Sequence, residues 1–422
     1  MKVVYDITVL GIAFEKPQGA TGISRVIENL AFELAQDPQC DLVFASTEAE
    51  PQTLAYLKAT ERLSHVPHAQ HPFDMWLRNY ISYLNHEIFR PSIIKNIPLR
   101  IYRRGVLAVD AVTKSSQYTI GRDIVDKYDI FHATFLPPPK QMSDLKNIKR
   151  FQTVYDIIPL THPQWFSSGE SAILERVVTG VQPEDHVLAI SQATKDDLCN
   201  YAPIDPERVI VTPLAANRAV FYPARDAAKF QKVKEKYGLP DAPYVLSLAT
   251  LEPRKNTEHL IRCFGEMVRS QGIKDLHLVL TGSRGWQYDA IFDQIEGLAE
   301  LKGRVIVTGR VDDADLAELY SHAMMFAYPS LYEGFGLPPL EAMQCGVPVI
   351  TSNVSSLPEV VGNAGITVDP TDADALSQSL YDVYKDSALR EKLSAQGLER
   401  AQGFSWEQCA QDTMDAYKKA LG

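Results

Sequence analysis

Short apolar runs rich in β-branched residues alternate with longer stretches of helical spacing along most of the chain, and this alternation restricts the fold more than any other feature. In the first half the runs fall at 2–9, 42–45, 130–132, 151–157, 187–191 and 209–212. In the second half they fall at 244–249, 277–281, 305–308, 324–328, 347–351 and 366–368. Several are unbroken apolar segments closed by Gly, Ser or Pro, as parallel strands covered on both faces require. Strands alternating with helices predict βαβ units and a doubly wound sheet. The pattern restarts near residue 240, after a stretch at 215–226 that reads as a linker. The expected fold class is therefore α/β, with two Rossmann-like doubly wound domains at 1–218 and 219–400 facing each other across a cleft. Residues 401–422 read as a C-terminal helix returning to the body, with Trp406, Cys409, Met414 and Tyr417 on its apolar side. A ligand is expected in the crevice outside the carboxyl ends of the strands.

Composition excludes several alternatives. The 42 Lys plus Arg against 53 Asp plus Glu give a net charge of −11, which argues against a dedicated nucleic-acid binder. The five cysteines, Cys40, Cys199, Cys263, Cys345 and Cys409, are scattered without a CxxC, so neither a disulfide framework nor a zinc site is expected and a reducing cytoplasm fits. No run reaches 18 uninterrupted apolar residues, and Asp6 interrupts the N-terminal run, which reads as a strand rather than a signal peptide. The segment 64–127 breaks the βα rhythm. It carries His65, His68, His71, Trp76, Arg78, Arg90, Lys95, Arg100, Arg103 and Arg104, and reads either as helices with a solvated basic face or as a surface for an anionic or lipid-linked acceptor.

The chemistry concentrates in YPSLYEGFGLPPLEAMQCGVPVITS, residues 328–352. A strand ends in the loop 330–336, Pro338 and Pro339 suit the first positions of a helix, and Gly346 ends it. The helix start, with unpaired N–H groups and the positive end of the macrodipole, then points an anion site at the cleft. Glu333 on the loop and Glu341, expected in the first helical turn, can face one ligand from two sides and accept hydrogen bonds from sugar hydroxyls. Dipole complementation alone explains Glu341, and a solvated loop explains Glu333. The two together, framing Gly334-Phe335-Gly336 ahead of a Pro-started helix, favour a ligand site.

A second cluster is ATLEPRKNTEHLI, residues 249–261, where Arg254 and Lys255 follow a strand and Asn256 or Thr257 is expected to cap the next helix. Two adjacent cations at a strand's carboxyl end suit a diphosphate, Arg as a planar fork and Lys as a mobile point charge. Thr281-Gly282-Ser283-Arg284-Gly285 and Thr308-Gly309-Arg310-Val311-Asp312 also follow strands directly, and their glycines allow close backbone approach to a base or phosphate. In the first half, Gln18-Gly19-Ala20-Thr21-Gly22-Ile23-Ser24-Arg25 precedes a helical pattern. Such a glycine pair is a weak signal by itself.

Together these residues resemble a retaining glycosyltransferase of the GT-B architecture, family 4. The hallmark Glu-x7-Glu matches Glu333 and Glu341, Arg254-Lys255 is similar to the family's diphosphate clamp, and the loop at 19–25 is similar to its N-terminal donor loop. The strings TLEPRKN, GRVDDADLAELY and SNVSSLPEVVG resemble a subgroup of O-antigen and exopolysaccharide mannosyltransferases. The resemblance covers roughly 1–60 and 128–420. It implies an acceptor domain at 1–218, a nucleotide-sugar donor domain at 219–400, and a GDP-mannose-type donor. Glu341 would hold the ribose hydroxyls, and Glu333 the hydroxyls of the transferred sugar. Gly334, Phe335, Gly336 and Leu337 would bring backbone to sugar and phosphates, Val311 would meet the base, and Gly22 and Gly282 would line the donor site. The sequence departs from the family at Ala249, where many relatives carry Arg, and at Tyr155, where many carry His. His132 and Asp156 are the polar candidates left for acid–base work.

The mechanism so implied fixes positive charge beside the departing diphosphate, with the acceptor attacking the same face and the leaving phosphate helping to deprotonate it. No metal or other cofactor is expected, because the Asp pairs at 313–315 and 372–374 lie near helix starts where capping explains them. The expected partners are a nucleotide-sugar and a saccharide or lipid-linked acceptor, with no nucleic acid. The expected location is the cytoplasm, with possible peripheral contact to the inner membrane face through 64–127. A nucleotide-sugar epimerase and a non-catalytic nucleotide-sugar-binding protein are the alternatives. No GxGxxG follows the first strand to support an NAD enzyme.

Overall fold

The computed structural model of the chain describes residues 1–15, 22–69, 127–139, 145, 147–166, 168–283 and 301–422. Most of the basic-aromatic segment, together with Arg284 and Gly285, lies outside the described residues. Each expected apolar run forms a strand. The first sheet joins β1 (Lys2–Asp6), β2 (Asp41–Ala45), β3 (Ile130–Ala133), β4 (Lys149–Val154), β5 (His186–Ala189) and β6 (Val209–Val211) in the order β2-β1-β3-β4-β5-β6. The second joins β7 (Tyr244–Leu248), β8 (His277–Thr281), β9 (Val305–Gly309), β10 (Met325–Tyr328), β11 (Val349–Ser352) and β12 (Ile366–Val368) in the order β12-β11-β10-β7-β8-β9. Every pairing in both sheets is parallel.

The helices that bear on the site are α1 (Thr8–Glu15), α2 (Gly22–Gln36), α3 (Gln192–Tyr201), α4 (Thr257–Ser270), α5 (Asp313–Ser321), α6 (Leu337–Gln344) and α7 (Trp406–Leu421). The first strand ends three residues earlier than its apolar run because Asp6 Oδ1 accepts the Thr8 N–H at 2.9 Å and turns the chain into α1. Helix α4 shows why such elements hold. Leu260, Ile261, Phe264, Met267 and Val268 lie on its buried side, each contributing about 1.5–3 kcal/mol relative to exposure. Asn256 precedes α4 but does not cap it. Its Nδ2 donates to Pro329 O at 3.0 Å and to Pro370 O at 2.7 Å, tying the loop that carries Arg254 and Lys255 to two neighbouring loops.

The stretch 215–226 carries no strand or helix and is pinned to the second sheet's side: Gln344 Nε2 donates to Phe221 O at 2.7 Å, and Ala224 N donates to Ser321 Oγ at 2.9 Å. The last helix, α7, returns to pack on α2 and the first sheet with Trp406, Cys409, Met414 and Tyr417 buried. One core cluster consequently runs from Tyr5 and Leu34 through Tyr417 to Phe326 and Val349, spanning both sheets.

Each sheet has a point where strand order reverses, between β1 and β3 in the first and between β7 and β10 in the second. Loops at the carboxyl ends of strands diverge there and leave a crevice. The loops after β7 and β10 are the two that carry Arg254-Lys255 and Glu333.

Candidate active site

A cavity of about 610 Å³ separates the two sets of strand ends. It is lined by Glu333, Lys255, Arg254, Asp156, Gly22, Gly282, Val311, Gly334, Phe335, Gly336, Leu337 and Glu341, so chain segments hundreds of residues apart converge on one volume.

Glu333 is the most heavily bonded of these. Its Oε1 accepts from Lys255 Nζ at 2.6 Å, Tyr328 Oη at 2.8 Å and Ser330 Oγ at 2.6 Å, and its Oε2 accepts from Arg254 Nη1 at 2.9 Å. Burial works against the charged form, but Arg254 and Lys255 outweigh it and hold the carboxyl at about 2. Arg254 also donates to Tyr332 O and to Glu252 Oε1, while its buried Nε has no partner. Burial opposes its charge too, and Glu333 and Glu252 reverse that and raise its pKa. Lys255 is pulled the other way: burial and the neighbouring Arg254 lower its pKa, with Glu333 opposing. Arg254 and Lys255 therefore form a compact cluster in which each cation already holds a carboxylate.

The loop after Glu333 lines the cavity. Ser356 Oγ donates to Glu333 O at 2.9 Å and also to Phe335 O, and Ser191 Oγ donates to Gly334 O at 2.7 Å. The carbonyls of Glu333, Gly334 and Phe335 are each held by a serine hydroxyl, and the N–H groups of Gly334, Phe335 and Gly336 take no partner among the described residues. Helix α6 begins at Leu337, so these donors and its dipole form an anion seat. A side chain at Gly334 is excluded because a Cβ there would lie 2.4 Å from Tyr155 O. Gly282 is equally constrained, since its Cβ would fall 1.8 Å from the carbonyl oxygen of Ala249.

Glu341 is the fifth residue of α6, one residue deeper than the sequence pattern implied, because the helix starts at Leu337 rather than at Pro338. It is buried, accepts from Tyr320 Oη at 3.0 Å, and burial raises its pKa to about 7 against that bond. Asp156 receives the Ile158 N–H at 3.0 Å, and burial raises its pKa while Arg254 offsets part of the rise. At the opposite end Arg25 of α2 reaches across to Asp313 of α5, one side of the cavity to the other.

His132 is not in the cleft. Its ring is fully buried, with Nδ1 2.6 Å from Tyr417 Oη and Nε2 2.7 Å from Thr153 Oγ1, and burial lowers its pKa to about 3. The strand-end position that suggested a cleft residue is covered by α7, a helix the sequence pattern expected but whose landing place beside His132 it did not give. The acidic pairs also differ from expectation in detail. Asp372 caps a helix through the Ala375 N–H, but Asp313 and Asp315 are bound instead by Arg25 and by Lys236 with Tyr237. Among the described residues no group of His, Cys, Asp and Glu has the arrangement of a metal site.

Sequence reasoning missed Tyr320, Tyr328, Ser330 and Ser356, the hydroxyls that hold the two acids and the loop, and Ser191 and Thr194 from the other half. Ser191 alone carried a local signal, as a Ser at a strand end ahead of a helix, where it caps α3 through the Thr194 N–H.

Residues 229–400 match the family glycosyl transferases group 1. The chain is 38% identical over 268 residues to O-antigen chain mannosyltransferase B of Escherichia coli, covering 63% of this chain and 69% of that one. It is 31% identical over 270 residues to the serotype-specific mannosyltransferase WbdA of the same species, spanning only 33% of that longer protein. Among solved structures, a glycosyltransferase from Rickettsia africae superposes with a TM-score of 0.66 over 100% of this chain and 98% of its own at 19% identity. The Anabaena protein HepE, crystallised with UDP and glucose, gives 0.66 over 99% and 100% at 17% identity.

Proposed function

The chain belongs to the glycosyl transferases group 1 family, and from that premise we propose that it transfers mannose from GDP-mannose to a saccharide acceptor, with retention of configuration, in cell-surface polysaccharide synthesis. The observation that carries this reading is the convergence, in one cavity, of Arg254, Lys255, the two acids and the loop Gly334 to Gly336, whose N–H groups take no partner among the described residues. The mannosyltransferase names of the relatives support the sugar.

In this mechanism the diphosphate docks on Arg254, Lys255 and the start of α6, so positive charge is in place before the sugar–phosphate bond breaks. Glu341 takes the ribose hydroxyls and Glu333 the sugar hydroxyls. As the bond lengthens, the anomeric carbon becomes oxocarbenium-like and the departing phosphate oxygen gains the electron pair. The acceptor hydroxyl attacks from the same face, and its proton passes to that phosphate oxygen. Asp156, beside Gly334, orients the acceptor hydroxyl. Closure of the halves positions both substrates and excludes water. No step calls for a metal, so excess EDTA leaves the rate unchanged; inhibition reversed by magnesium or manganese contradicts this. No helix among the described residues is long and apolar enough to cross a membrane, and peripheral attachment near 64–127 remains part of the proposal for a lipid-linked acceptor.

The test is a thermal-shift series with GDP-, UDP-, ADP- and dTDP-sugars, followed by product analysis with the best ligand. GDP-mannose should give the largest rise in melting temperature. A larger shift with another nucleotide overturns the donor assignment. Binding without transfer or slow hydrolysis overturns the catalytic one.

A further inference from the structure

We propose that the first turn of α3, in the half opposite the clamp, is the seat that sets the Glu333–Gly336 loop, with Thr194 and Glu359 as positioning residues for the diphosphate site. This rests on reading the cavity as a diphosphate site. The bonds run across the cleft between residues more than a hundred positions apart. Thr194 Oγ1 lies 3.1 Å from Gly334 O and 3.2 Å from Tyr155 O, and Ser191 Oγ donates to the same Gly334 carbonyl at 2.7 Å. In return Glu359, from the second half, accepts the N–H groups of Gln192 and Ala193 at 2.9 and 2.7 Å. Such first-turn N–H groups have no partner within a helix and lie at the positive end of α3, where a carboxylate is favoured twice over. Tyr332, one residue before Glu333, donates to the Asp197 carboxylate on the same helix at 2.8 and 2.9 Å.

The consequence is directional. Holding the Gly334 carbonyl from outside the second half turns the peptide so that the next N–H faces the cavity. The anion seat is complete only while α3 is docked. The clamp cations belong wholly to the second half, and Ser356 of that half holds the carbonyls of Glu333 and Phe335, but the Gly334–Phe335 peptide between them is set by contact with the first half. Opening the cleft therefore weakens the grip on a diphosphate, coupling product release to domain opening without a moving lid.

The test uses the full chain, inorganic pyrophosphate as probe, and three variants. Thr194→Val is isosteric and spares the Ser191 cap. Thr194→Ser keeps the hydroxyl, and Glu359→Gln keeps the shape while removing the charge. Thr194→Val should weaken pyrophosphate binding about tenfold while lowering the melting temperature by only about 1–3 °C, and Thr194→Ser should restore binding to within about twofold. Glu359→Gln should weaken binding similarly and speed amide hydrogen exchange at Gln192 and Ala193 about tenfold or more. Wild-type binding in folded Thr194→Val, or unchanged exchange at 192 and 193 in Glu359→Gln, overturns the proposal. If pyrophosphate does not bind the wild-type protein at all, the diphosphate reading falls, while the exchange measurement still decides whether α3 is docked by Glu359.

Discussion

Replacing Glu333 by Gln gives a test whose two halves move in opposite directions. The carboxylate is buried, with Lys255 and Arg254 on it at 2.6 and 2.9 Å. Its pKa falls from the ordinary 4.5 to about 2, which corresponds to about 3 kcal/mol of stabilisation when the group is ionised. Because the folded value is depressed, that contribution is fully present above about pH 4.5 and lost as pH falls through about 2. Losing one member of a buried ion cluster costs about 3–5 kcal/mol by the alternative route of stranding its partners, so the two estimates agree. At pH 7, Glu333→Gln should therefore lower the melting temperature of the free protein by roughly 3–6 °C. The same change leaves two cations without the anion that competes with phosphate. Pyrophosphate should then stabilise the variant more than the wild type, by about 1.4 kcal/mol for each tenfold gain in affinity. Scanning calorimetry at pH 7 with and without pyrophosphate reads both. A folded variant that melts within about 1 °C of wild type, or gains less than wild type from pyrophosphate, refutes the account of Glu333 as the internal counter-ion of the clamp.

Other outcomes follow from the same geometry. Lys255→Ala should cut turnover about a hundredfold or more while leaving the fold intact, since Arg254 still pairs with Glu333; near-normal transfer discredits the clamp. Burial raises Glu341 to about 7, so the folded state takes up a proton and stability falls as pH rises from about 4.5 to about 7. Glu341→Gln should remove that slope and melt higher than wild type at pH 8 while binding donor less well; parallel pH profiles contradict the assignment. His132→Leu strands the hydroxyls of Tyr417 and Thr153 at about 1–3 kcal/mol each, yet the donor KM should not change. A raised KM with unchanged stability would put the ring back in the cleft.

The departure at Ala249 has a physical counterpart. Its carbonyl lies so close to Gly282 that the backbone of two loops, rather than a second long cation, occupies that wall of the cavity. Arg254, with an unpartnered Nε and its charge held by two carboxylates, is the second cation beside Lys255.

What the chain's own order determined is its periodic part: where strands lie, that they are parallel, and that Arg254-Lys255 and Glu333 each follow a strand at its carboxyl end. Period and turn chemistry are local properties, and a parallel strand must release its chain at the end where such loops collect. Tertiary structure alone decided the partners. That Tyr320 steadies Glu341, that Ser191 and Thr194 hold Gly334 from across the cleft, and that α7 buries His132 all depend on segments tens to hundreds of residues apart meeting at hydrogen-bond distance. Hydroxyls and a lone imidazole carry no pattern of their own, so only the packing of two sheets and a returning helix distinguishes a group that grips a ligand from one that fills the core.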